Sequence, residues 1–215
     1  MQRGRFITFE GGEGAGKSTQ IRRLSERLRA IGIDPVVTRE PGGSPGAEAL
    51  RELLLGGAAK PFGPVAEAAL FYAARDDHLE ETIRPALASG RWVVCDRFSD
   101  STRAYQGAAG GVDDTVLRAL DRIVVAKTRP DLTIILDVPP EEGLKRAQAR
   151  GLPTDRFEAE GLAFHERLRE KFLAIAAREP DRCVVIDGTA NVDAVSDAVW
   201  QATSDRLLTA VGEQR

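Results

Sequence analysis

The chain has 215 residues, of which 42% are hydrophobic and 29% charged, so a buried core is expected and wholesale disorder is not. A net charge of −3 at pH 7 argues against a nucleic-acid coat, and only two cysteines and two histidines argue against a disulfide scaffold and a Cys/His zinc site. No apolar run approaches the about 20 residues that span a bilayer, and no signal-peptide stretch opens the chain. We therefore expect a cytoplasmic protein with no membrane and no nucleic-acid partner.

The basic residues are 25 Arg and only 5 Lys. A planar guanidinium suits phosphate and carboxylate groups, so this bias fits a protein with anionic ligands. A GC-rich genome would give the same bias, and composition alone leaves both interpretations open.

Short β-branched runs alternate with longer helical patterns along the whole chain. Strands are predicted at Arg5–Phe9, Ile33–Thr38, Arg91–Cys95, Leu132–Asp137 and Arg182–Ile186. Helices are predicted near Lys17–Ala30, Ala47–Leu55, Val65–Ala88, Asp114–Ala126, Glu141–Ala149, Glu158–Arg178 and Val192–Leu208. Several strands are apolar on both faces, which is typical of a parallel sheet covered by helices on each side. We predict one α/β domain over residues 1–215, a five-stranded parallel sheet flanked by helices with ligands at the carboxyl ends of the strands.

A glycine-rich loop follows the first predicted strand. Residues 11–18 read G-G-E-G-A-G-K-S and match G-x-x-x-x-G-K-[ST] in the strand-to-helix context that this phosphate-binding loop (P-loop) requires. Backbone amides and the helix N-terminus bind phosphates there, Lys17 reaches the terminal phosphates, and Ser18 offers its hydroxyl to Mg²⁺. The dinucleotide pattern G-x-G-x-x-G does not fit, because its last glycine would fall on Lys17 or Thr19. The loop predicts a site for a nucleoside triphosphate with Mg²⁺.

The residues around the loop favour transfer over hydrolysis. A guanine-reading N-K-x-D motif is impossible, since Asn191 is the only asparagine. The third strand ends at Asp96 followed by Arg97, with no second acidic residue to activate water. A P-loop scaffold that binds nucleotide for regulation is the alternative from another class, and the intact set of Lys17, Ser18, Asp96 and Arg97 argues against it.

Two side chains one helical turn apart, Phe71 and Arg75, are suited to one pocket wall. Each also has a structural alternative. Phe71 would suit the core, and Arg75 could pair with Asp76 or Glu80 on the surface. In the same way Arg146 could be the i,i+4 partner of Glu142.

Five motifs in register carry a resemblance. They are F-E-G-G-E-G-A-G-K-S-T at 9–19, T-R-E-P-G-G at 38–43, L-F-Y-A-A-R at 70–75, D-R-F at 96–98 and A-Y-Q-G at 104–107. In this order, and over roughly Arg5 to Leu208, the chain resembles the bacterial thymidylate kinase (dTMP kinase) family. The resemblance implies phosphorylation of dTMP to dTDP with Mg-ATP in dTTP biosynthesis, by a homodimeric P-loop kinase with a mobile lid. The runner-up is another small P-loop kinase that acts on a different nucleoside monophosphate.

The resemblance also implies roles for individual residues. The residues implied to bind ATP are Gly11, Gly12, Glu13, Gly14, Ala15, Gly16, Lys17, Ser18, Thr19 and Arg146. The residues implied to bind the metal ion are Ser18 and Asp96. For the acceptor, Arg97 grips the phosphate with help from Arg39. Phe71 stacks on thymine and Arg75 binds a base oxygen. Glu13 orients the sugar and Tyr105 disfavours ribose, while Ser101, Thr102 and Gln106 are further nucleotide contacts.

The segment at about 146–160 resembles the lid, which in the bacterial subtype supplies the catalytic arginine. The predicted catalytic residues are thus Lys17, Arg97, Arg150 and Arg156. This chain departs from the family where Ala109-Gly110-Gly111 lacks an arginine and where Gln148 replaces one, so the choice between the lid arginines is open.

Overall fold

The computed structural model describes residues 3–149 and 156–208. Five strands form one sheet: β1 (Phe6–Glu10), β2 (Val36–Arg39), β3 (Val93–Asp96), β4 (Leu132–Asp137) and β5 (Cys183–Asp187). Their order is β2-β3-β1-β4-β5, and every pairing is parallel. The predicted five-stranded parallel sheet is confirmed. Because β1 is central, its carboxyl end opens at the middle of the ligand-binding edge.

Nine α-helices flank the sheet in the described part of the chain. They are α1 (Lys17–Ala30), α2 (Pro45–Leu55), α3 (Pro64–His78), α4 (Arg84–Ala88), α5 (Ser99–Thr102), α6 (Asp114–Val124), α7 (Pro140–Gln148), α8 (Leu162–Arg178) and α9 (Val192–Thr203). Wider π-helical turns continue three of the helices, at Leu79–Ile83, Arg103–Ala109 and Ser204–Leu208, and a 3₁₀ turn spans Lys60–Phe62. None of the described helices is long and apolar enough to cross a membrane.

The apolar character of β1 on both faces follows from its central place. Ile7 and Phe9 belong to the core cluster on the side of α1 and α9. Phe6 belongs to the cluster on the opposite side, which includes Tyr72 of α3 and Leu117 of α6. Burial on both faces stabilises the strand that carries the P-loop, and it holds the loop at a fixed position.

Three element predictions were wrong in detail. The helix predicted at Val65–Ala88 runs from Pro64 to Ala88, but a π-helical turn at Leu79–Ile83 separates α3 from α4, just before Pro85, which has no N–H for a regular helical hydrogen bond. The strand predicted from Ile33 begins only at Val36, because Pro35 has no N–H to donate to a neighbouring strand. The helix predicted from Glu158 begins at Leu162, after Gly161.

One helical segment was missed altogether, from Ser99 to Ala109. Its serines, threonine and glycine are weak helix formers, so the local pattern did not predict it. Its first turn is tethered from outside: the N–H of Phe98 and the hydroxyl of Ser101 both donate to the carboxylate of Glu10, over 2.8 and 2.6 Å. A tertiary contact therefore sets where this helix begins.

Candidate active site

The P-loop curls around the side chain of Lys17. Gly14 and Gly16 have φ values of 64° and 90°, which side chains rarely adopt, and α1 begins directly after them. The ammonium group of Lys17 donates to the carbonyl oxygens of Gly11 at 3.2 Å and Gly12 at 2.9 Å. Burial lowers the pKa of Lys17, and the nearby guanidinium of Arg97 lowers it further. The loop thus presents a buried cation at the start of a helix, which is a site for phosphate.

The start of α7 leans directly on the P-loop. A Cβ atom at Gly14 would collide with the carbonyl oxygen of Gly143, and one at Gly143 would collide with the carbonyl oxygen of Glu13. Both positions therefore require glycine for close approach of the backbones. Arg146, one turn later, donates to the carbonyl oxygen of Gly188 at 2.8 Å and to Glu142 at 2.5 Å.

Ser18 and Asp96 form a pair suited to a divalent cation. Ser18 Oγ donates to Asp96 Oδ2 over 3.0 Å, while Asp96 Oδ1 is buried and has no hydrogen-bond partner among the described residues. The described residues contain no group of three or more His, Cys, Asp or Glu side chains that could hold a metal ion. Mg²⁺ commonly binds one or two protein oxygens together with phosphate and water, so this pair fits the ion as part of a nucleotide complex.

Arg97 joins the loop after β3 to the P-loop. Its backbone has a φ of 67°, an unfavourable conformation for a residue with a Cβ that is found at functional sites. Nη1 donates to the carbonyl oxygen of Gly11 and to Ser101 Oγ, both at 3.2 Å, and Nη2 donates to Glu13 at 2.9 Å. The guanidinium also lies 4.9 Å from the ring centre of Tyr105. Burial alone would lower the pKa of Arg97, but Tyr105 and Glu13 raise it.

Glu13 is the carboxylate at the centre of this group. It accepts hydrogen bonds from the hydroxyl of Tyr105 at 2.5 Å and from Arg97. Burial opposes ionisation, but Arg97 and Lys17 outweigh it and lower the pKa of Glu13 to about 2. Glu13 therefore remains charged and holds the arginine in place.

A second carboxylate, Glu10, lies beneath the site and was not predicted. Its side chain is fully buried and holds Phe98 and Ser101. Burial, with a further contribution from Asp100, raises the pKa of Glu10 to about 8. Because Ser101 also accepts from Arg97, Glu10 supports the active-site arginine through one intermediate side chain.

A cavity, here called the base cavity, opens beside α3. Its lining residues are Glu13, Glu40, Pro41, Arg51, Leu55, Phe71, Arg75, Arg97, Phe98, Ser101, Thr102, Tyr105, Gln106 and Phe157. Eight of the nine predicted acceptor contacts are thus brought together, namely Glu13, Phe71, Arg75, Arg97, Ser101, Thr102, Tyr105 and Gln106. Phe71 also packs on Leu54 and Ala59 in a small core cluster, so the core interpretation and the pocket interpretation both hold for it.

Arg75 is buried rather than on the surface, so the alternative of a surface pair with Asp76 or Glu80 is wrong. Nε donates to Glu40 at 2.8 Å and Nη2 donates to Thr102 Oγ1 at 2.9 Å. The third nitrogen, Nη1, is buried and has no hydrogen-bond partner within the described part of the chain. A buried donor without a partner is costly, so the cavity wall is suited to a ligand with an acceptor oxygen.

A second cavity, here called the donor cavity, opens over the P-loop. Its lining residues are Glu13, Gly14, Ala15, Gly16, Lys17, Ser18, Thr19, Arg39, Glu40, Arg51, Asp96, Arg97, Arg146 and Glu158. Gly11 and Gly12 lie outside this lining and hold the ammonium of Lys17. Arg146 both lines the cavity and pairs with Glu142, so both interpretations of that residue hold.

Two residues missed in the sequence analysis, Glu40 and Arg51, line both cavities. Arg39, which was predicted to assist at the acceptor phosphate, lines the donor cavity only, and its guanidinium contacts both carboxylate oxygens of Glu48 at 2.9 and 3.0 Å. Arg51 follows Glu48 by three residues and so lies on the same face of α2. The i,i+3 spacing from Glu48 was the feature of the sequence that could have identified Arg51.

The two predicted lid arginines have different outcomes. Arg150 lies outside the described residues. Arg156 pairs with Glu67 of α3 at 2.5 Å, and its guanidinium lies 4.2 Å from the ring centre of Phe157. Two described residues of the lid segment, Arg146 and Glu158, line the donor cavity. Arg156 belongs to the same segment but is not part of that lining.

Comparison with known proteins agrees with this geometry. The model of the thymidylate kinase family matches residues 9–199. A thymidylate kinase of Nitrobacter winogradskyi is 61% identical over 97% of this chain and 92% of the relative. One of Caulobacter vibrioides is 62% identical over 96% of this chain and 99% of the relative. The crystal structure of thymidylate kinase from Ehrlichia chaffeensis superposes with a TM-score of 0.73 and 34% identity, over 93% of this chain and 97% of the other. By sequence and by fold, the chain belongs to the thymidylate kinase family.

Proposed function

We propose that this dTMP kinase binds ATP in the donor cavity and dTMP in the base cavity, and that it transfers the phosphoryl group directly where the two cavities meet. The observation that carries the proposal is their shared wall. Arg97 lines both cavities, held by Glu13 of the P-loop on one side and by Ser101 of α5 on the other. A cation at that point faces both the donor and the acceptor phosphate.

On the acceptor side, thymine stacks on Phe71 and one base carbonyl accepts from Nη1 of Arg75, the buried nitrogen without a partner. Glu40 keeps the guanidinium of Arg75 in place. Glu13 and Tyr105 lie beside the sugar, and the hydrogen bond between them limits the space for a further hydroxyl group on the sugar. Arg97 and Arg51, with Arg39 further out, neutralise the acceptor phosphate.

On the donor side, the P-loop and Lys17 hold the phosphates of ATP, and Arg146 lies at the far wall. Ser18 and Asp96 would hold Mg²⁺ together with phosphate oxygens. The ion supplies charge neutralisation when it is bound. Apart from Glu40 and Arg51, these site residues carry the roles implied by the family resemblance.

The chemistry needs positioning more than proton transfer. The acceptor phosphate has a second pKa near about 6, so it is already an anionic nucleophile at neutral pH. One of its oxygens bonds to the γ-phosphorus while the bond from that phosphorus to the β,γ-bridging oxygen breaks, and ADP leaves. Two unit charges 4 Å apart repel by about 4 kcal/mol at an effective dielectric near 20. Lys17, Arg97 and Arg150 offset this repulsion and align the two substrates.

A coupled assay of ADP release tests the assignment. ATP is supplied with dTMP, dUMP, dGMP, dCMP or dAMP, with Mg²⁺ or with excess EDTA. We expect the highest kcat/KM with dTMP and loss of turnover in EDTA that returns with added Mg²⁺. Preference for a purine monophosphate, or equal turnover of ATP without any acceptor, would overturn the proposal.

The proposal includes a homodimer in the cytoplasm, as the family resemblance implies. Helices α3 and α6 are in contact, and each carries a large exposed apolar side chain, Val65 (53% exposed) and Ile123 (72% exposed), which supports an interface that involves these helices. Light scattering after size-exclusion chromatography tests the dimer: the wild-type protein elutes at twice the chain mass, and Ile123→Glu shifts it toward the monomer.

A further inference from the structure

One carboxylate on α3 contacts two separate parts of the base site. Glu67 lies one turn before Phe71 and two turns before Arg75, so it shares their helix face. It is 9% exposed, and a carboxylate that is so withdrawn from water requires partners. Each carboxylate oxygen of Glu67 has its own partner. Oε1 accepts a hydrogen bond from Nε2 of Gln106 at 3.2 Å, and Oε2 forms an ion pair with Arg156 at 2.5 Å. Neither the P-loop nor the acceptor phosphate site uses this group.

The first contact fixes the orientation of an amide. A carboxylate accepts hydrogen bonds and does not donate them, so the amino group of Gln106 must face Glu67. The carbonyl oxygen of Gln106 is then the amide atom left for a ligand in the base cavity, which Gln106 lines. Thymine presents an N3–H donor between two carbonyl groups, whereas cytosine presents an N3 acceptor beside an amino group. An acceptor held next to the donor Arg75 therefore matches thymine and rejects cytosine.

The second contact sets the position of an aromatic ring. The guanidinium of Arg156 is held by Glu67 and lies over the ring of Phe157. Phe157 lines the base cavity, with its ring centre 6.3 Å from that of Phe71 and 5.3 Å from that of Tyr105. The ion pair thus places a third aromatic ring at the place proposed for the base.

We propose that Glu67 is a positioning residue for base recognition: it holds the amide of Gln106 in the thymine-accepting orientation and, through Arg156, seats Phe157 against the base cavity. The inference rests on the proposed function, since it assumes that the base cavity takes the pyrimidine of the acceptor. It gives Arg156 a role at the base rather than at the transferring phosphoryl group.

The test compares Glu67→Gln with Arg156→Met and with the control Glu81→Gln, which alters an exposed glutamate in the turn after α3. For each protein, KM values for dTMP and ATP, kcat with dTMP, the inhibition constant of dCMP and the melting temperature are measured on one preparation. The wild-type dTMP activity is measured first, because its absence would refute the proposed function itself.

We expect Glu67→Gln to raise the KM for dTMP at least about tenfold and to reduce the preference for dTMP over dCMP at least about tenfold, because the amide of Gln106 is free to turn. Arg156→Met should raise the KM for dTMP but keep the preference, because Glu67 still holds Gln106. The KM for ATP and all values of Glu81→Gln should stay within about twofold of wild type.

Two outcomes would overturn the inference while wild-type activity remains intact. One is a Glu67→Gln protein with an unchanged KM and an unchanged preference. The other is a uniform fall in kcat and melting temperature with no change in preference, which is the result of a purely structural role. A loss of kcat in Arg156→Met at unchanged KM for dTMP would overturn the role of Arg156 at the base and would assign it to stabilisation of the transferring phosphoryl group.

Discussion

Nη2 of Arg97 donates a hydrogen bond to Oε1 of Glu13 over 2.9 Å, although 84 residues separate them. The pair connects the loop after β3 to the P-loop, and both side chains are largely buried, at 18% and 11% exposed. Since Arg97 faces both cavities, the aim of its guanidinium depends on a residue of the nucleotide-binding loop. The acceptor and donor sites are therefore built as one unit.

Replacing Glu13 with glutamine keeps the size of this side chain and removes its charge. Hydrogen bonds to charged groups are worth about 1.5–3 kcal/mol, so we expect kcat/KM for dTMP to fall about tenfold or more. Steady-state kinetics with varied dTMP checks this, with the exposed Glu52→Gln on α2 as the control. Wild-type values in Glu13→Gln would show that Arg97 does not need this partner.

Lys17→Ala removes the cation held by the P-loop. We expect turnover to fall at least about 100-fold, the range found when one group that stabilises transition-state charge is removed. The far-ultraviolet circular dichroism spectrum should be unchanged, because the backbone of the loop is set by its glycines. Lys145→Ala, an exposed lysine on α7, is the matched control. Near-normal turnover in a folded Lys17→Ala protein would refute the P-loop assignment.

Phe71 has contacts in both the core and the base cavity. Phe71→Ala shows how much each set of contacts contributes, to stability and to dTMP binding respectively. Stacking on a base is worth about 1–3 kcal/mol, so the KM for dTMP should rise far more than the KM for ATP. A purely core role would instead cost about 3–5 kcal/mol of stability. Melting temperature and both KM values on one preparation distinguish the outcomes. Phe62→Ala, at a ring that is 71% exposed, is the control.

The buried Glu10 should make stability depend on pH. Its pKa rises from 4.5 to about 8 on folding, so the native state holds a proton that the unfolded state releases between these values. Stability from this group is fully present below pH 4.5 and is lost as pH rises through about 8, at about 1.4 kcal/mol per pH unit for one proton. Glu10→Gln is neutral throughout, so the stability of the wild-type protein relative to this variant should fall between pH 5 and pH 8.

Urea unfolding of both proteins at several pH values in that window gives the measurement for Glu10. Ionisation of groups remote from Glu10 contributes equally to both proteins and cancels in the difference. Parallel stability profiles would mean that Glu10 is already ionised in the native state at pH 5.

Arg150 lies outside the described residues, and its role rests on the family resemblance. We predict that Arg150→Ala lowers kcat at least about tenfold, or about 1.4 kcal/mol of barrier, with little change in either KM. Arg122→Ala, an exposed arginine on α6, is the control. A kcat within about twofold of wild type would place the missing positive charge elsewhere, with Arg146 as the next residue to test.

The sequence by itself determined the sheet and the phosphate site, because both depend on local patterns. Short apolar and β-branched runs predicted all five strands, and the spacing of glycines, Lys17 and Ser18 predicted the loop that surrounds Lys17. The acceptor residues Phe71, Arg75 and Gln106 came from motifs, and the structure brings them to one cavity. The helix after Phe98 escaped prediction because a contact with Glu10 sets its start.

Only the tertiary structure decided which partners the buried charges have. Arg75 has acidic neighbours along its own helix, yet it pairs with Glu40, which is 35 residues away. Glu67 has no local mark that distinguishes it from a solvent-exposed glutamate, and its contacts with Gln106 and Arg156 come from distant parts of the chain. The physical reason is that a charge withdrawn from water must be met by whichever groups packing brings near it, and packing is not encoded in the spacing of neighbouring residues.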